Sequence, residues 1–172
     1  RQGNILAIKG LGGFHLACRA DDDEAVLRLR KRKRRDAKPF ALMLSNLEAA
    51  SELVDLSPQD VSLLSGPIRP ILLATPRPGT AKISVHVANG LGDLGIMLPY
   101  TPLHYLLFAR GAPSSLVMTS GNLSDEPLIK DDEAAIKQMS GIADAILLHN
   151  RRIERAVDDS VVQVAGDGRT QV

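Results

Sequence analysis

Short apolar runs alternate with helix-forming segments along most of the chain. The runs are four or five residues long and occupy residues 5–8, 40–44, 71–74, 95–98, 116–119, 145–148 and 161–164. Apolar runs of this length, bounded by turn-forming residues, are typical of buried strands. Because the strands alternate with helices, the sequence predicts an α/β fold with a mixed sheet. A chain of 172 residues is long enough to form one domain with a sizeable core.

Five segments begin with a side chain that can cap a helix. The predicted caps are Asp22 or Asp23, Ser45 in a capping-box spacing with Glu48, Ser57 before Pro58, Thr101 before Pro102, and Asp131 or Asp132. The first of these helices has an acidic first turn and a basic last turn, which suits the helix dipole at both ends. Pro39 is predicted to stop this helix, because proline cannot continue one.

A dense cluster of positive charge lies at the end of the first predicted helix. Residues 28–38 read RLRKRKRRDAK, and eight of these eleven residues are basic, although the net charge of the chain is only +1. The cluster continues directly into Pro39 and a buried strand, so several of its cations are expected to point into a crevice that binds phosphates. On charge alone, a solvated helix end or an RNA-binding patch is favoured over a phosphate site. The chain has only five aromatic residues, which argues against stacking of single-stranded bases.

A polar turn follows the fifth apolar run. Residues 119–127 read TSGNLSDEP, in which Ser120, Asn122 and Ser124 can offer hydroxyl, amide and backbone N–H groups to an anion. An ordinary turn is an equally good interpretation of this segment. The glycine-rich turn at residues 9–13 lacks the spacing of the GxGxxG and Walker A loops, so close backbone packing is favoured there.

Several other polar residues have a structural interpretation that is favoured over a catalytic one. Residues 158–160, Asp-Asp-Ser, could hold a metal, but capping of a strand start is favoured. His15 and His104 have apolar neighbours and are predicted to be packed, hydrogen-bonded histidines. No Ser-His-Asp triad is evident, and Cys18 has no activating neighbour. The chemistry that remains is catalysis by positioning and electrostatics.

Composition excludes several classes of site. Because Cys18 is the only cysteine, the chain has no internal disulfide and fits a reducing compartment. The four histidines lack the paired spacing of a zinc site, so no structural metal is expected. No apolar run reaches the length of about 18 residues that a membrane-spanning helix needs, and the N-terminus has no signal-peptide pattern. A cytoplasmic protein without a membrane partner is expected.

Five sequence blocks resemble the YrdC-like domain of HypF, the carbamoyltransferase of nickel–iron hydrogenase maturation. They are GLGGFHLAC (residues 10–18), RKRKRRDAKPFALM (30–43), GIMLPYTPLH (95–104), MTSGNLSDEP (118–127) and DDSV (158–161). Related domains occur in O-carbamoyltransferases of antibiotic biosynthesis, and the threonylcarbamoyl-AMP synthases are more distant relatives. The resemblance covers nearly the whole chain. It implies a twisted, open YrdC-like sheet with parallel and antiparallel strands, flanked by helices around a basic cavity.

The resemblance also implies a reaction. Carbamate derived from carbamoyl phosphate would attack ATP to give carbamoyl-AMP and pyrophosphate. ATP is expected as a substrate, together with Mg²⁺, as is usual in phosphoryl chemistry. The carbamoyl group is then expected to pass to HypE for synthesis of the cyanide ligands of the hydrogenase.

The functional pattern of the family is K-x-R, then a lysine, then S-x-N. On this chain it maps onto Lys33 and Arg35, Lys38, and Ser120 and Asn122. The resemblance implies that the three cations are catalytic and stabilise the phosphates and carbamate, while the Ser and Asn bind the α-phosphate or the carbamoyl group. Further candidates for binding nucleotide or substrate are Lys9, Gly10 and Ser124. If the register is off by one, the alternatives are Arg32 or Arg34.

HypF proteins are larger than this chain. They add an acylphosphatase-like domain and zinc fingers before this region and a carbamoyl-transfer domain after it, so residues 1–172 are expected to be a single domain of a longer protein. Arg19 is a departure, because HypF sequences usually have Asp at this position. Two rival functions remain: a threonylcarbamoyl-AMP synthase, which uses threonine and bicarbonate for tRNA modification, and a non-catalytic RNA-binding module.

Overall fold

The structure, a computed structural model, describes residues 3–79, 83–122, 128–165 and 170–171. These residues form nine strands and five helices. In chain order they are β1 (Leu6–Lys9), β2 (Phe14–Arg19), α1 (Asp23–Lys33), β3 (Ala41–Leu44), α2 (Leu47–Leu53), α3 (Pro58–Ser65), β4 (Ile71–Ala74), β5 (Leu94–Met97), α4 (Pro102–Ala109), β6 (Ser115–Ser120), α5 (Asp132–Met139), β7 (Ala145–Leu147), β8 (Val161–Val164) and β9 (Thr170–Gln171). The predicted α/β class is confirmed.

The strands form one open, mixed sheet, as predicted. Their order is β7-β1-β2-β6-β3-β5-β4-β8-β9. Three neighbouring pairs are parallel, namely β1 with β7, β3 with β5 and β4 with β8, and the other pairs are antiparallel. The register of β2 against β6 places His15 directly opposite Ser120. The end of β6, where the polar turn begins, therefore lies beside the start of β2.

The two faces of the sheet are covered differently. Alternate side chains such as Leu16, Leu42 and Val117 belong to the larger core cluster, which includes residues of α1, α2, α3 and α5. The opposite face carries a small cluster around Met43 and Met118, packed partly against α4. Since the second cluster is much smaller, the rest of that face is open, and a cavity lies above it.

The ends of α1 explain how the basic segment is presented. The Asp22 carboxylate accepts a hydrogen bond from the Ala25 N–H at 2.9 Å, which confirms this residue as the cap. The helix ends at Lys33, because Arg34 adopts a left-handed conformation with φ of 53°. Pro39 lies five residues beyond Arg34, so the prediction that it stops the helix is wrong. The basic segment is therefore divided between the last turn of a helix and a loop that enters β3.

The other predicted caps are mostly confirmed. Ser57 forms a capping box with Asp60, and Thr101 and Asp131 cap the starts of α4 and α5. The cap of α2 is Asn46 rather than Ser45, because the Asn46 side chain accepts from the N–H three residues later. Among the described residues, no helix is long and apolar enough to span a membrane.

Candidate functional site

A cavity of about 570 Å³ lies on the open face of the sheet. Its floor is formed by Ala41, Gly95 and Met118 from the three central strands β3, β5 and β6. The rest of the described lining consists of Arg35, Pro39, Phe40, Ile71, Leu73, Leu91, Gly92, Asp93, Thr119, Ser120, Asp158, Asp159 and Val161. The floor is apolar and the rim is polar, an arrangement that can hold a ligand with a flat apolar part and charged substituents.

Lys33 joins the basic helix to the polar turn. Its side chain is almost fully buried, with 1% exposed. Its ammonium group donates to the Ser120 carbonyl at 2.7 Å and to the Asn122 side-chain oxygen at 3.3 Å, and also to the Asn122 carbonyl. Burial, followed by the nearby charge of Arg35, lowers the pKa of Lys33 to about 8. Three of the predicted site residues, separated by 87 and 89 positions, thus meet, and one of them, Ser120, belongs to the described lining of the cavity.

Arg35 supplies a cation to the cavity lining itself. Its guanidinium group donates to the Pro39 carbonyl at 2.7 Å and to the Lys38 carbonyl at 3.3 Å, and lies 5.4 Å from the centre of the Phe40 ring. Burial lowers the pKa of Arg35, yet an arginine stays charged at neutral pH. Lys38 is exposed and lies beside Pro39, outside the described lining of the cavity.

The alternative register would use Arg32 or Arg34, and neither belongs to the described lining of the cavity. Arg32 donates to the Ile142 carbonyl at 2.8 Å and pairs with Asp144 at 2.7 Å, away from the cavity. Arg34 is exposed and serves as the left-handed end of α1. The structure therefore places Arg35 in the described lining of the cavity and joins the buried Lys33 to the lining residue Ser120, while the catalytic roles implied by the family pattern stay predictions.

The structure does not bring Lys9 to this cavity. The Lys9 ammonium group pairs with Asp132 at 2.7 Å and donates to the His149 carbonyl at 3.1 Å. Its strand neighbour in the register is Phe14, a residue of the larger core, so Lys9 points to the face opposite the cavity. There it lines a separate cavity of about 360 Å³. Its predicted role in binding substrate stays a prediction.

The two remaining predicted binding residues are Gly10, which the structure describes, and Ser124, which it does not. The Gly10 N–H donates to the Gly13 carbonyl at 2.7 Å and closes the turn between β1 and β2. A Cβ at Gly10 would lie only 2.9 Å from that carbonyl oxygen and 3.0 Å from the His15 ring, so this turn requires glycine. Ser124 lies outside the described residues, and its predicted role remains untested.

Sequence reasoning did not identify a second polar group at the cavity. Asp159 lines the cavity and lies 3.4 Å from both the Tyr100 hydroxyl and the His15 Nε2 atom. Burial opposes ionisation of Asp159, but hydrogen bonds from His15 and Tyr100 outweigh it and lower the pKa of this carboxyl. Asp159 is therefore an ionised acceptor held by two partners. Asp159 belongs to the DDSV block, but its contact with His15 spans 144 positions of sequence.

His104 is a packed histidine, as predicted. It is fully buried and lies edge-on to the Tyr100 ring, with 4.7 Å between the ring centres. Burial, followed by the nearby His15, lowers the pKa of His104 to about 4, so the ring is neutral at neutral pH. The expected hydrogen bonds are not seen, because neither ring nitrogen has a partner within the described part of the chain.

The charges in the cavity are separated. The cationic edge consists of Arg35 in the described lining and of the buried Lys33, which is bonded to the lining residue Ser120, whereas the rest of the described lining carries Asp93, Asp158 and Asp159. Within the ranges that the structure describes, no group of three or more His, Cys, Asp or Glu residues could hold a metal ion. The cationic edge suits phosphates, and the acidic side suits hydrogen-bond donors.

Comparisons with known proteins agree on one family. The family model described as "Telomere recombination", Sua5/YciO/YrdC, matches residues 1–172. Carbamoyltransferase HypF2 of Cupriavidus necator is 49% identical over 98% of this chain and 22% of its own length. Carbamoyltransferase HypF of Rhodobacter capsulatus is 50% identical over 95% of this chain and 22% of its own length. The chain thus spans about a fifth of the length of the curated relatives it matches.

Solved structures give the same result. Full-length HypF in its phosphate- and nucleotide-bound form matches with a TM-score of 0.90 and 47% identity, over 95% of this chain and 25% of that chain. HypF of T. kodakarensis matches with a TM-score of 0.93 and 39% identity, over 98% of this chain and 22% of that chain. Sua5 of P. abyssi complexed with L-threonine has a TM-score of 0.78, but at 18% identity this likeness shows the fold alone.

Proposed function

The chain belongs to the Sua5/YciO/YrdC family, and from this premise we propose that it adenylates carbamate. In the proposed reaction, an oxygen of carbamate attacks the α-phosphorus of ATP. The bond between the α-phosphorus and pyrophosphate breaks, and the products are carbamoyl-AMP and pyrophosphate. The observation that carries the proposal is the meeting of Lys33 with Ser120 and Asn122 at the cavity edge, beside Arg35.

The cationic edge addresses the main electrostatic difficulty of this reaction. ATP and carbamate are both anions, and two unit charges about 4 Å apart repel by about 4 kcal/mol at an effective dielectric constant near 20. Lys33 and Arg35 offset this repulsion and stabilise the charge that develops on the departing pyrophosphate. Lys38 is proposed to join them from the adjoining loop, and Ser120 and Asn122 to hydrogen-bond the α-phosphate or the carbamoyl group.

Asp159 supplies a hydrogen-bond acceptor on the acidic side of the cavity. Carbamate carries an amino group, which needs a hydrogen-bond acceptor once it leaves water. The lowered pKa of Asp159 keeps its carboxylate ionised, and His15 and Tyr100 fix its orientation. We therefore assign to Asp159 the recognition of the carbamate amino group.

The relatives define the proposed context of the reaction. The named relatives are carbamoyltransferases, and one solved HypF was obtained with phosphate and nucleotide bound. Carbamoyl phosphate is the proposed source of carbamate, with its phosphate removed before adenylation. HypE is the proposed final acceptor of the carbamoyl group.

The test is exchange of labelled pyrophosphate into ATP by the purified protein. The reactions contain freshly dissolved ammonium carbamate, carbamoyl phosphate, threonine with bicarbonate, or no acyl substrate. Supplying carbamate directly removes any need for a separate step that cleaves carbamoyl phosphate. Exchange that requires carbamate or carbamoyl phosphate is the expected result. Exchange that requires threonine would instead assign the protein to threonylcarbamoyl-AMP synthesis.

A further inference from the structure

Arg30 is a buried arginine of α1 that the proposed reaction does not use directly. Its residue is 6% exposed, and its guanidinium group lies 4.5 Å from the centre of the Phe40 ring. It donates to the carbonyls of His86 at 2.6 Å, Arg35 at 2.9 Å, Val87 at 3.1 Å, Lys38 at 3.1 Å and Asp36 at 3.4 Å. Within the described ranges it has no carboxylate partner. All of these hydrogen bonds have main-chain carbonyl oxygens as acceptors.

These carbonyls belong to two segments that are distant in sequence. One is the loop of residues 34–38, which connects α1 to β3, and the other is the turn at residues 84–89. Two further hydrogen bonds hold this region together: the N–H of Phe40, which lies two residues beyond the first segment, donates to the Val87 carbonyl at 2.9 Å, and the Asn89 side chain donates to the Asp36 carbonyl at 2.7 Å. Arg30 therefore lies at the centre of the hydrogen bonds that connect the two segments, a connection that we call the joint.

Both segments lead into walls of the cavity. The first carries Arg35 and continues into Pro39 and Phe40, and the second continues into residues 91–93. Because Arg30 binds the carbonyl oxygens of residues 35 and 38, the negative ends of these peptide dipoles point towards Arg30. Arg30 thereby fixes the backbone from which the Arg35 and Lys38 side chains extend.

We propose that Arg30 is a positioning residue for the polyphosphate of the nucleotide: by holding the carbonyls of residues 34–38 and 84–89 together, it fixes Arg35 and Lys38 where β- and γ-phosphates bind. The inference rests on the proposed function, because it assumes that the nucleotide phosphates lie at this edge. Arg30 acts through the loop and contacts no substrate itself.

Lysine cannot replace Arg30 in this role. The guanidinium group is a planar fork with five N–H donors, which reaches carbonyls in different directions at the same time. A lysine ammonium group keeps the positive charge but offers three donors at one point. Arg30→Lys therefore separates the geometry of Arg30 from its charge.

The experiment measures the affinity of the purified protein for Mg²⁺–ATP and for AMP by titration calorimetry, together with thermal unfolding. Arg30→Lys is expected to weaken ATP binding about 10- to 100-fold, since misplacement of binding groups by about 1 Å has effects of this size. AMP lacks the β- and γ-phosphates, so its affinity is expected to change less than about threefold. Arg32→Lys is the matched control: Arg32 lies on the same helix and also binds a carbonyl, but away from the cavity. It is expected to leave both affinities unchanged.

A second variant protects the test against poor folding of Arg30→Lys. Asn89→Gly removes the exposed hydrogen bond to Asp36 and keeps a residue that tolerates the positive φ of 49° at this position. It is expected to weaken ATP binding about three- to tenfold, the value of one hydrogen bond, with AMP binding unchanged.

Three results would overturn the inference. Equal weakening of ATP and AMP binding would mean a general structural defect, and unchanged ATP binding in both variants would mean that the joint does not position the phosphate site. Absence of ATP binding in the unaltered protein would overturn the proposed function and, with it, this inference. The last result is distinguishable because it is seen without any substitution.

Discussion

Replacing Lys33 with methionine removes one ammonium group from the cationic edge and keeps most of the side-chain volume. If this charge acts at about 4 Å from the reacting phosphates, it contributes up to about 4 kcal/mol at an effective dielectric constant near 20. Each 1.36 kcal/mol is a factor of ten in rate, so the upper limit is about 10³. The cavity is open to water, which screens part of this interaction. We therefore expect kcat/KM for carbamate-dependent pyrophosphate exchange to fall by about 10² to 10³.

The stability of the Lys33→Met variant must be measured alongside its activity. The substitution leaves the carbonyls of Ser120 and Asn122 without this donor, a loss of about 1 to 3 kcal/mol. It also removes the unfavourable burial of a charge, which acts in the opposite direction. The free energy of unfolding in urea is therefore expected to fall by less than about 2 kcal/mol, so the variant folds and its activity can be interpreted.

Lys31→Met is the matched control, because Lys31 is an exposed lysine of the same helix. It removes the same charge without altering the cavity, and its exchange rate is expected to stay within about threefold of the unaltered protein. A folded Lys33→Met variant with an unaltered rate would refute the reasoning. So would a Lys31→Met variant whose activity falls as far as that of Lys33→Met.

Three further predictions concern pH, packing and specificity. With a pKa of about 8, Lys33 should lose its charge as the pH rises through 8, and the pyrophosphate-exchange activity should fall with it. The contribution of Lys33 to folding stability should become more favourable from pH 8 towards its ordinary pKa of 10.5. A pH–rate profile that is flat from pH 7 to 9.5 would contradict this. Gly121→Ala should lower the free energy of unfolding in urea by about 2 kcal/mol or more, because its Cβ would lie 2.6 Å from the Met139 methyl group and 2.8 Å from a backbone carbonyl oxygen. Gly141→Ala is the control, because Gly141 has open space around it. Equal stability of the two variants would contradict the packing argument. Asp159→Asn should raise KM for carbamate by about tenfold with little change in ATP affinity, because an amide is a weaker acceptor than a carboxylate. A rise in the Kd of ATP alone would assign this residue to the nucleotide instead.

Part of the candidate site carries short sequence patterns. The K-x-R and S-x-N patterns implied by the family resemblance each span three residues, and one residue of each, Arg35 and Ser120, lines the cavity. The burial of Arg30 also has a local signal. With Lys33, Arg30 continues the buried stripe of α1 that begins at Val26 and Leu29, at the spacing of one helix face. Two basic residues on an apolar stripe indicate buried cations that need partners.

Other features depend on contacts that no local pattern encodes. The end of α1 is set by the left-handed Arg34, whereas proline is the more visible signal and lies five residues later. Lys9 faces away from the cavity because side chains alternate along β1, which could be applied only once the strand boundaries and the cavity face were known. The pairing of His15 with Asp159 joins opposite ends of the chain, and only the folded sheet brings them together.

The central claim is that an oxygen of carbamate becomes bonded to the α-phosphorus of ATP. Transfer of an isotopic label tests this directly: carbamate labelled with oxygen-18 is mixed with ATP and the protein in unlabelled water, and the AMP is analysed by mass spectrometry. The account predicts AMP that carries one oxygen-18 atom, because the bridging oxygen stays with phosphorus when the carbamoyl group leaves. Unlabelled AMP, or ADP and phosphate in place of AMP and pyrophosphate, would contradict carbamate adenylation.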